Sequence, residues 1–102
     1  MKKKYEENEK EIYRRLGSNV KFYRLNNNCP RDITDKYGRI SQEALAELID
    51  SSANMISNLE AESVKQSCSV VFIERIAKAL NIPLYAFFLK VPIKNPPENP
   101  FE

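Results

Sequence analysis

Asn54, Ser57 and Asn58 fall on the outer face of one short helical stretch, with Ala53 beside them. An asparagine amide donates and accepts hydrogen bonds at once. Two of them a helical turn apart can therefore hold a surface that offers both kinds of group. No bond-making chemistry accompanies them. The chain has no His, and its two glycines, Gly17 and Gly38, build no phosphate-cradling loop. No carboxylate pair marks a pocket, so an enzyme is not expected. Cys29 and Cys68 are the only cysteines, too few without His to hold zinc. Two thiols so far apart in a cytosolic chain are expected to stay free, and a redox switch would need exposure and a lowered thiol pKa. Neither a metal nor a cofactor is expected. Taken alone, Asn54 and Asn58 read as a polar solvent face.

Two short amphipathic helices must position these residues. Ser41 is a good N-cap, because its hydroxyl can accept an orphan N–H of the first turn. Ile40 and Leu45 stand where a hydrophobic staple would put them. Leu45, Leu48 and Ile49 share a face at helical spacing, and Ala46 is small enough to admit a close neighbour. Asp50-Ser51-Ser52 breaks the pattern with turn-forming side chains. Ser52 caps the second helix, in which Ile56 and Leu59 point inward. The connection is too tight for an antiparallel return.

This pattern resembles the helix-turn-helix of the phage repressor and Cro family, also called xenobiotic-response-element-like. Leu16-Gly17, Val20-Lys21 and Arg24 are similar to the family's first helix. Ser41-Gln42, Leu45-Ala46, Ser52, Ile56-Ser57 and Leu59-Glu60 are similar to its central motif. Ile73, Ile76-Ala77-Lys78-Ala79-Leu80 and Ile82-Pro83-Leu84 are similar to its closing helices. The resemblance covers about residues 16–88. It implies an all-α, lambda-repressor-like bundle of about five helices. Two features depart from the pattern. Asp50 stands where the family usually has Gly, and Asp tolerates a left-handed backbone better than most residues. Residues 27–40 form an insertion, roughly ten residues beyond what a compact helix connection needs.

The resemblance also assigns roles. It points to Ala53, Asn54, Met55 and Asn58 as base contacts in the major groove. Asparagine suits an adenine edge, and Ala53 and Met55 suit thymine methyls. It implies a partly buried structural ion pair between Arg24 and Glu60. Gln42, at a helix start, is expected to orient a phosphate. Net charge is only +2, and residues 41–62 carry five acidic groups and no basic one. Phosphate contacts must therefore come from flanking residues: Lys21, Arg39 and Lys65, joined by Ser52 and Ser57. Helix-start N–H groups add to these. Such an interface should depend on salt less steeply than a Lys/Arg-rich one.

The remainder frames this unit. With 102 residues and 42% hydrophobic content, the chain supports one modest core. The expected domain is 11–90, with a charged flexible segment 1–10 before it and a Pro-rich flexible tail 91–102 after it. The spacing predicts a first helix from about Glu7 to Asn26, with Ile12, Leu16, Val20 and Tyr23 on one face. Gly17 costs about 1 kcal/mol there relative to Ala, and its expected benefit is close packing of a neighbour. Lys2, Lys3 and Lys4 read as a solvated end rather than a basic arm, since glutamates follow closely. Pro30 and Gly38 suit the start and end of a short helix packing Ile33 and Tyr37. The alternative is a loop reaching DNA through Arg31, Lys36 and Arg39. Ser69 caps a helix holding Val70, Ile73, Ile76, Ala77 and Leu80, with Asn81 left-handed at its end. Pro83 then starts a short helix to about Leu89, and aromatics Phe72, Tyr85, Phe87 and Phe88 surround it.

The expected function is a sequence-specific DNA-binding transcriptional regulator, acting as a repressor by occupying a promoter. Its expected partners are double-stranded operator DNA and a second copy, paired through the C-terminal helices with recognition helices about 34–36 Å apart. The alternative is an antitoxin-like or anti-repressor-like module that binds a protein partner on the same fold. No apolar run is long enough for a membrane span or a secretory signal, so a cytoplasmic protein of bacterial or phage origin is expected.

Overall fold

The computed structural model describes residues 2–26, 39–61 and 69–100. The described residues form four α-helices: α1 Lys2–Leu25, α2 Gln42–Leu48, α3 Ala53–Glu60 and α4 Val70–Leu80. A 3₁₀ helix, Leu84–Phe88, follows. The described residues contain no strand, and none of their helices is long and apolar enough to cross a membrane. The fold is all-α. The fifth, closing element is a tight 3₁₀ turn rather than an α-helix. Pro83 starts it, and five residues suit the poorer hydrogen bonds of that helix type. The expected short helix with Ile33 and Tyr37 lies outside the described residues, as do Cys29 and Cys68.

α2, α3 and α4 each start where a serine caps them. Ser41 Oγ accepts the Ala44 N–H at 3.0 Å, Ser52 Oγ that of Met55 at 3.3 Å, and Ser69 Oγ that of Phe72 at 3.1 Å. Alanine at such a cap costs about 1 kcal/mol. α2 and α4 end alike. Asp50 and Asn81 are the only non-glycine residues described with positive φ, at 55° and 59°. In each case the next N–H bonds back across the turn, Ser51 to the Ala46 carbonyl at 2.8 Å and Ile82 to the Ala77 carbonyl at 2.9 Å. An L-residue resists this backbone conformation, and Asp only partly escapes the strain. Asp50→Gly should therefore raise stability by up to about 1 kcal/mol, and Asp50→Ala should lower it by a similar amount. Urea unfolding of both variants checks the signs.

α1 begins at Lys2, ahead of the expected start near Glu7. No helix breaker stands before Gly17, and lysine and glutamate are good helix formers. Leu16, Val20 and Tyr23 bury one face of α1 against the core formed by Leu45, Ile56, Ile76 and Phe87. Tyr23 and Phe87 meet edge to face, 5.2 Å between ring centres.

Three apolar residues expected inside lie further out. Ile12 is 44% exposed, Leu48 44% and Val70 65%. In α2 and its C-cap the buried residues are Leu45, Ala46 and Ile49, so the inner arc is centred near Ile49. Leu48 precedes it by one residue and is turned about 100° off that centre. Val70 begins α4, ahead of the turns that the rest of the bundle covers. Ile12, Val70 and Phe88 border an apolar hollow of about 190 Å³.

Residues 91–100 run along the bundle. The Tyr23 hydroxyl accepts the Ile93 N–H at 2.9 Å and faces the Ala86 carbonyl at 3.4 Å. Burial pushes the Tyr23 pKa above its ordinary 10.0, against the opposing effect of the Ile93 N–H. Further on, the Asn99 amide donates to the Ile82 carbonyl at 2.8 Å, and the Asn99 N–H donates to Asn81 Oδ1 at 3.1 Å.

Candidate nucleic-acid interface

α2 and α3 are joined through Ile49, Asp50, Ser51 and Ser52 alone. Their caps and the left-handed Asp50 fix the angle between them. The inner face of α3 is anchored by Ile56, fully buried, and Leu59, 7% exposed. Its C-terminal end lies directly on α1. A Cβ built on Gly17 would collide with the Leu59 carbonyl oxygen and would stand 3.1 Å from the carbonyl carbon and 3.4 Å from Glu60 Cα. Only glycine permits this approach.

Glu60 then closes the joint. Arg24 Nε donates to Glu60 Oε2 and Arg24 Nη2 to Oε1, both at 2.8 Å. The two side chains are 8% and 5% exposed. A planar guanidinium against a carboxylate gives two parallel charge-assisted bonds, the geometry arginine supplies and lysine does not. The remaining Arg24 nitrogen, Nη1, donates to the Ile40 carbonyl at 2.9 Å. The Ile40 N–H in turn donates to the Arg24 carbonyl at 2.9 Å. Arg24 thereby holds the chain entering α2 as well as the end of α3.

Gln42 belongs to the same cluster. Its amide donates to Glu60 Oε1 at 3.2 Å, and the residue is half-buried. Among the residues named from the sequence, the structure thus brings together Arg24, Glu60 and Gln42. It also engages the Ser52 hydroxyl in capping α3.

The opposite face of α3 is polar and open. Asn54 and Ser57 are exposed, Met55 is 38% exposed, and Ala53 and Asn58 are half-buried. Neither Asn54 nor Asn58 spends its side-chain amide on a hydrogen bond among the described residues. No charged residue occurs in α3 before Glu60, whose charge faces Arg24. Lys21 is exposed on α1, one turn past Gly17 and so on the side of that helix facing α3. Arg39 is exposed just ahead of α2. Lys65, and with it Arg31 and Lys36, lies outside the described residues. Glu43, Glu47 and Asp50 are all exposed on α2 and its turn.

Sequence reasoning did not single out Ile40 as a backbone partner of Arg24, and nothing in the local pattern signals it. It also passed over Asn19. That residue is 1% exposed, and its amide donates to the carbonyls of Phe87 at 2.8 Å and Leu89 at 2.9 Å. The signal was present: a polar residue within the apolar stripe of Leu16, Val20 and Tyr23 must find buried partners. Its role is to hold the 3₁₀ helix onto α1.

A capped helix pair joined by a four-residue turn, with one helix presenting an unspent polar face, defines a DNA-binding module of the helix-turn-helix type. A family model described as helix-turn-helix matches residues 38–87, which take in α2, α3, α4 and most of the 3₁₀ helix. That stretch matches the helix-turn-helix family, in agreement with the resemblance to the phage repressor and Cro type. Its domain is of the DNA-binding, transcription-regulator kind, in a family generally without catalytic activity. α1, which supplies Gly17 and Arg24, lies outside the matched residues. No curated protein and no solved structure gave a match.

Proposed function

We propose that the protein is a sequence-specific transcriptional regulator, acting as a repressor that occupies operator DNA and blocks polymerase. α3 enters the major groove with Ala53, Asn54, Met55 and Asn58 toward base edges. The observation that carries this reading is the division of α3: its inner side is fixed by Gly17, Arg24 and the core, while its outer side keeps two amides without partners among the described residues. A rigid helix with an unspent polar face is what base readout requires.

Backbone anchoring in this reading comes from Lys21, Arg39, Ser57 and Lys65, with N–H groups at the Ser52-capped start of α3. Gln42 serves partly as a brace, since Glu60 already holds its amide. A second copy pairs through the C-terminal elements, where Val70, Val71, Tyr85 and Val91 are more than half exposed. Pairing would set two α3 helices about one DNA turn apart. The protein would act in the cytoplasm of a bacterium or of a phage-infected cell.

A second reading, a protein-interaction module of antitoxin-like or anti-repressor-like type, is favoured by one observation: Glu43, Glu47 and Asp50 all face solvent beside α3. One experiment separates the two. In binding assays against selected and scrambled duplexes at fixed salt, Asn54→Ala and Asn58→Ala should each weaken specific binding by about 1–3 kcal/mol. Both variants should melt with the parent protein. Binding that ignores DNA sequence and both substitutions would reject the regulator reading and favour a protein partner.

A further inference from the structure

We infer that the base pairs facing α3 are A·T pairs, with adenines opposite Asn54 and Asn58. This rests on the regulator reading above and goes further by naming the chemistry of the site on DNA. Each base pair offers a distinct major-groove edge. Guanine presents two acceptors, N7 and O6, and is held best by the paired donors of arginine or by lysine. The outward face of α3 has neither. Cytosine presents an N4 donor, which a carboxylate accepts. The single carboxylate of α3 is Glu60, and its oxygens are committed to Arg24 and Gln42.

Adenine is the base that uses what this helix offers. It presents an N7 acceptor and an N6 donor side by side, and an asparagine amide answers both at once. Against guanine the same amide would leave its carbonyl oxygen opposite a second acceptor. That is an uncompensated polar group in a desolvated contact. Among the described residues, Asn54 and Asn58 keep both halves of their amides unspent. Ala53 and Met55 add apolar surface that matches the thymine C5 methyl and has no use for an amino group. The two asparagines are separated by about 6 Å along the helix, close to two base-pair steps. The face therefore reads a short A·T block, and G·C pairs in the site fall outside the reach of α3.

The test is selection of randomised duplexes by the full chain, followed by base-analogue substitution in the enriched site. The enriched motif should contain an A·T block. Within that block, replacing one adenine by 7-deazaadenine removes the N7 acceptor and should weaken binding roughly 5- to 100-fold. The same analogue outside the block should leave affinity unchanged. Asn54→Arg, at an exposed position, should exchange one A·T pair of the motif for G·C. If the positions whose preference moves with Asn54→Arg or Asn58→Ala are G·C for the parent protein, the inference is overturned while the regulator reading stands. Indifference to 7-deazaadenine within the block overturns it equally. If the parent enriches no motif at all, the regulator reading itself fails, and the inference with it.

Discussion

Gly17→Ala is expected to lower the melting temperature by more than about 10 °C, although alanine is the better helix former. The helix-propensity gain is about 1 kcal/mol. Against it stands the Leu59 carbonyl oxygen, which occupies the space the new methyl needs. A clash with a flexible side chain is relieved by rotation, but this one is with backbone. α1 and α3 must separate, and overpacking of that kind typically costs 1–3 kcal/mol and sometimes more (about 4–8 °C for each kcal/mol in a domain of this size). Separation also stretches the Arg24–Glu60 bonds, which lie one to two turns further along α1, so the loss should reach the upper part of that range. Ser18→Ala, the exposed neighbour, is the control and should leave the transition nearly in place. A Gly17→Ala protein that melts with the parent would show that α1 is free to shift, and the rigid seating of α3 would have to be abandoned.

The same contact explains which parts of the molecule were legible in the sequence. Local rules were enough for the caps at Ser41, Ser52 and Ser69, for the left-handed ends at Asp50 and Asn81, and for the inward pairing of Ile56 with Leu59. Each depends on residues within four or five positions. The purpose of Gly17 was legible as well, because glycine amid good helix formers implies a close neighbour; which atom fills the space was not.

Legibility fails where partners are distant. Asn19 meets carbonyls 68 and 70 residues away, and Asn99 meets one 17 residues away. No local pattern encodes such pairings. It fails also at the margins of apolar faces. Periodicity places Leu48 and Val70 with their neighbours to within a helical quadrant, but the edge of the buried arc is set by where the neighbouring elements end. For the candidate interface, sequence alone supplies the residue types on α3 and leaves them indistinguishable from a solvent face. Seeing that the inner side is anchored, and that Gln42 is tied to Glu60, separates bracing residues from those left open.

Glu60→Gln should be at least as damaging as the glycine substitution, and for a different reason. The carboxylate accepts two bonds from Arg24 at 2.8 Å and one from Gln42 at 3.2 Å. A glutamine amide has a similar shape but one acceptor oxygen. Whichever way it is turned, its NH₂ group opposes a guanidinium donor, and Arg24 remains charged with its side chain 8% exposed. Removing one partner of a buried pair costs about 3–5 kcal/mol, against less than about 0.5 kcal/mol for a control such as Glu43→Gln on the exposed side of α2. Thermal melts of the two variants give the comparison directly, and equal transitions would deny the pair any structural role. Salt supplies a second check. A pair this well shielded from solvent is screened little, so the gap between Glu60→Gln and the parent should persist from low to molar salt. Replacing both Arg24 and Glu60 by methionine should recover part of the loss, because no charge is then stranded. Recovery should stop short of complete. The Ile40 carbonyl would lose its guanidinium donor and Gln42 its acceptor, so the entry to α2 would remain weakened even with the α1–α3 joint repacked.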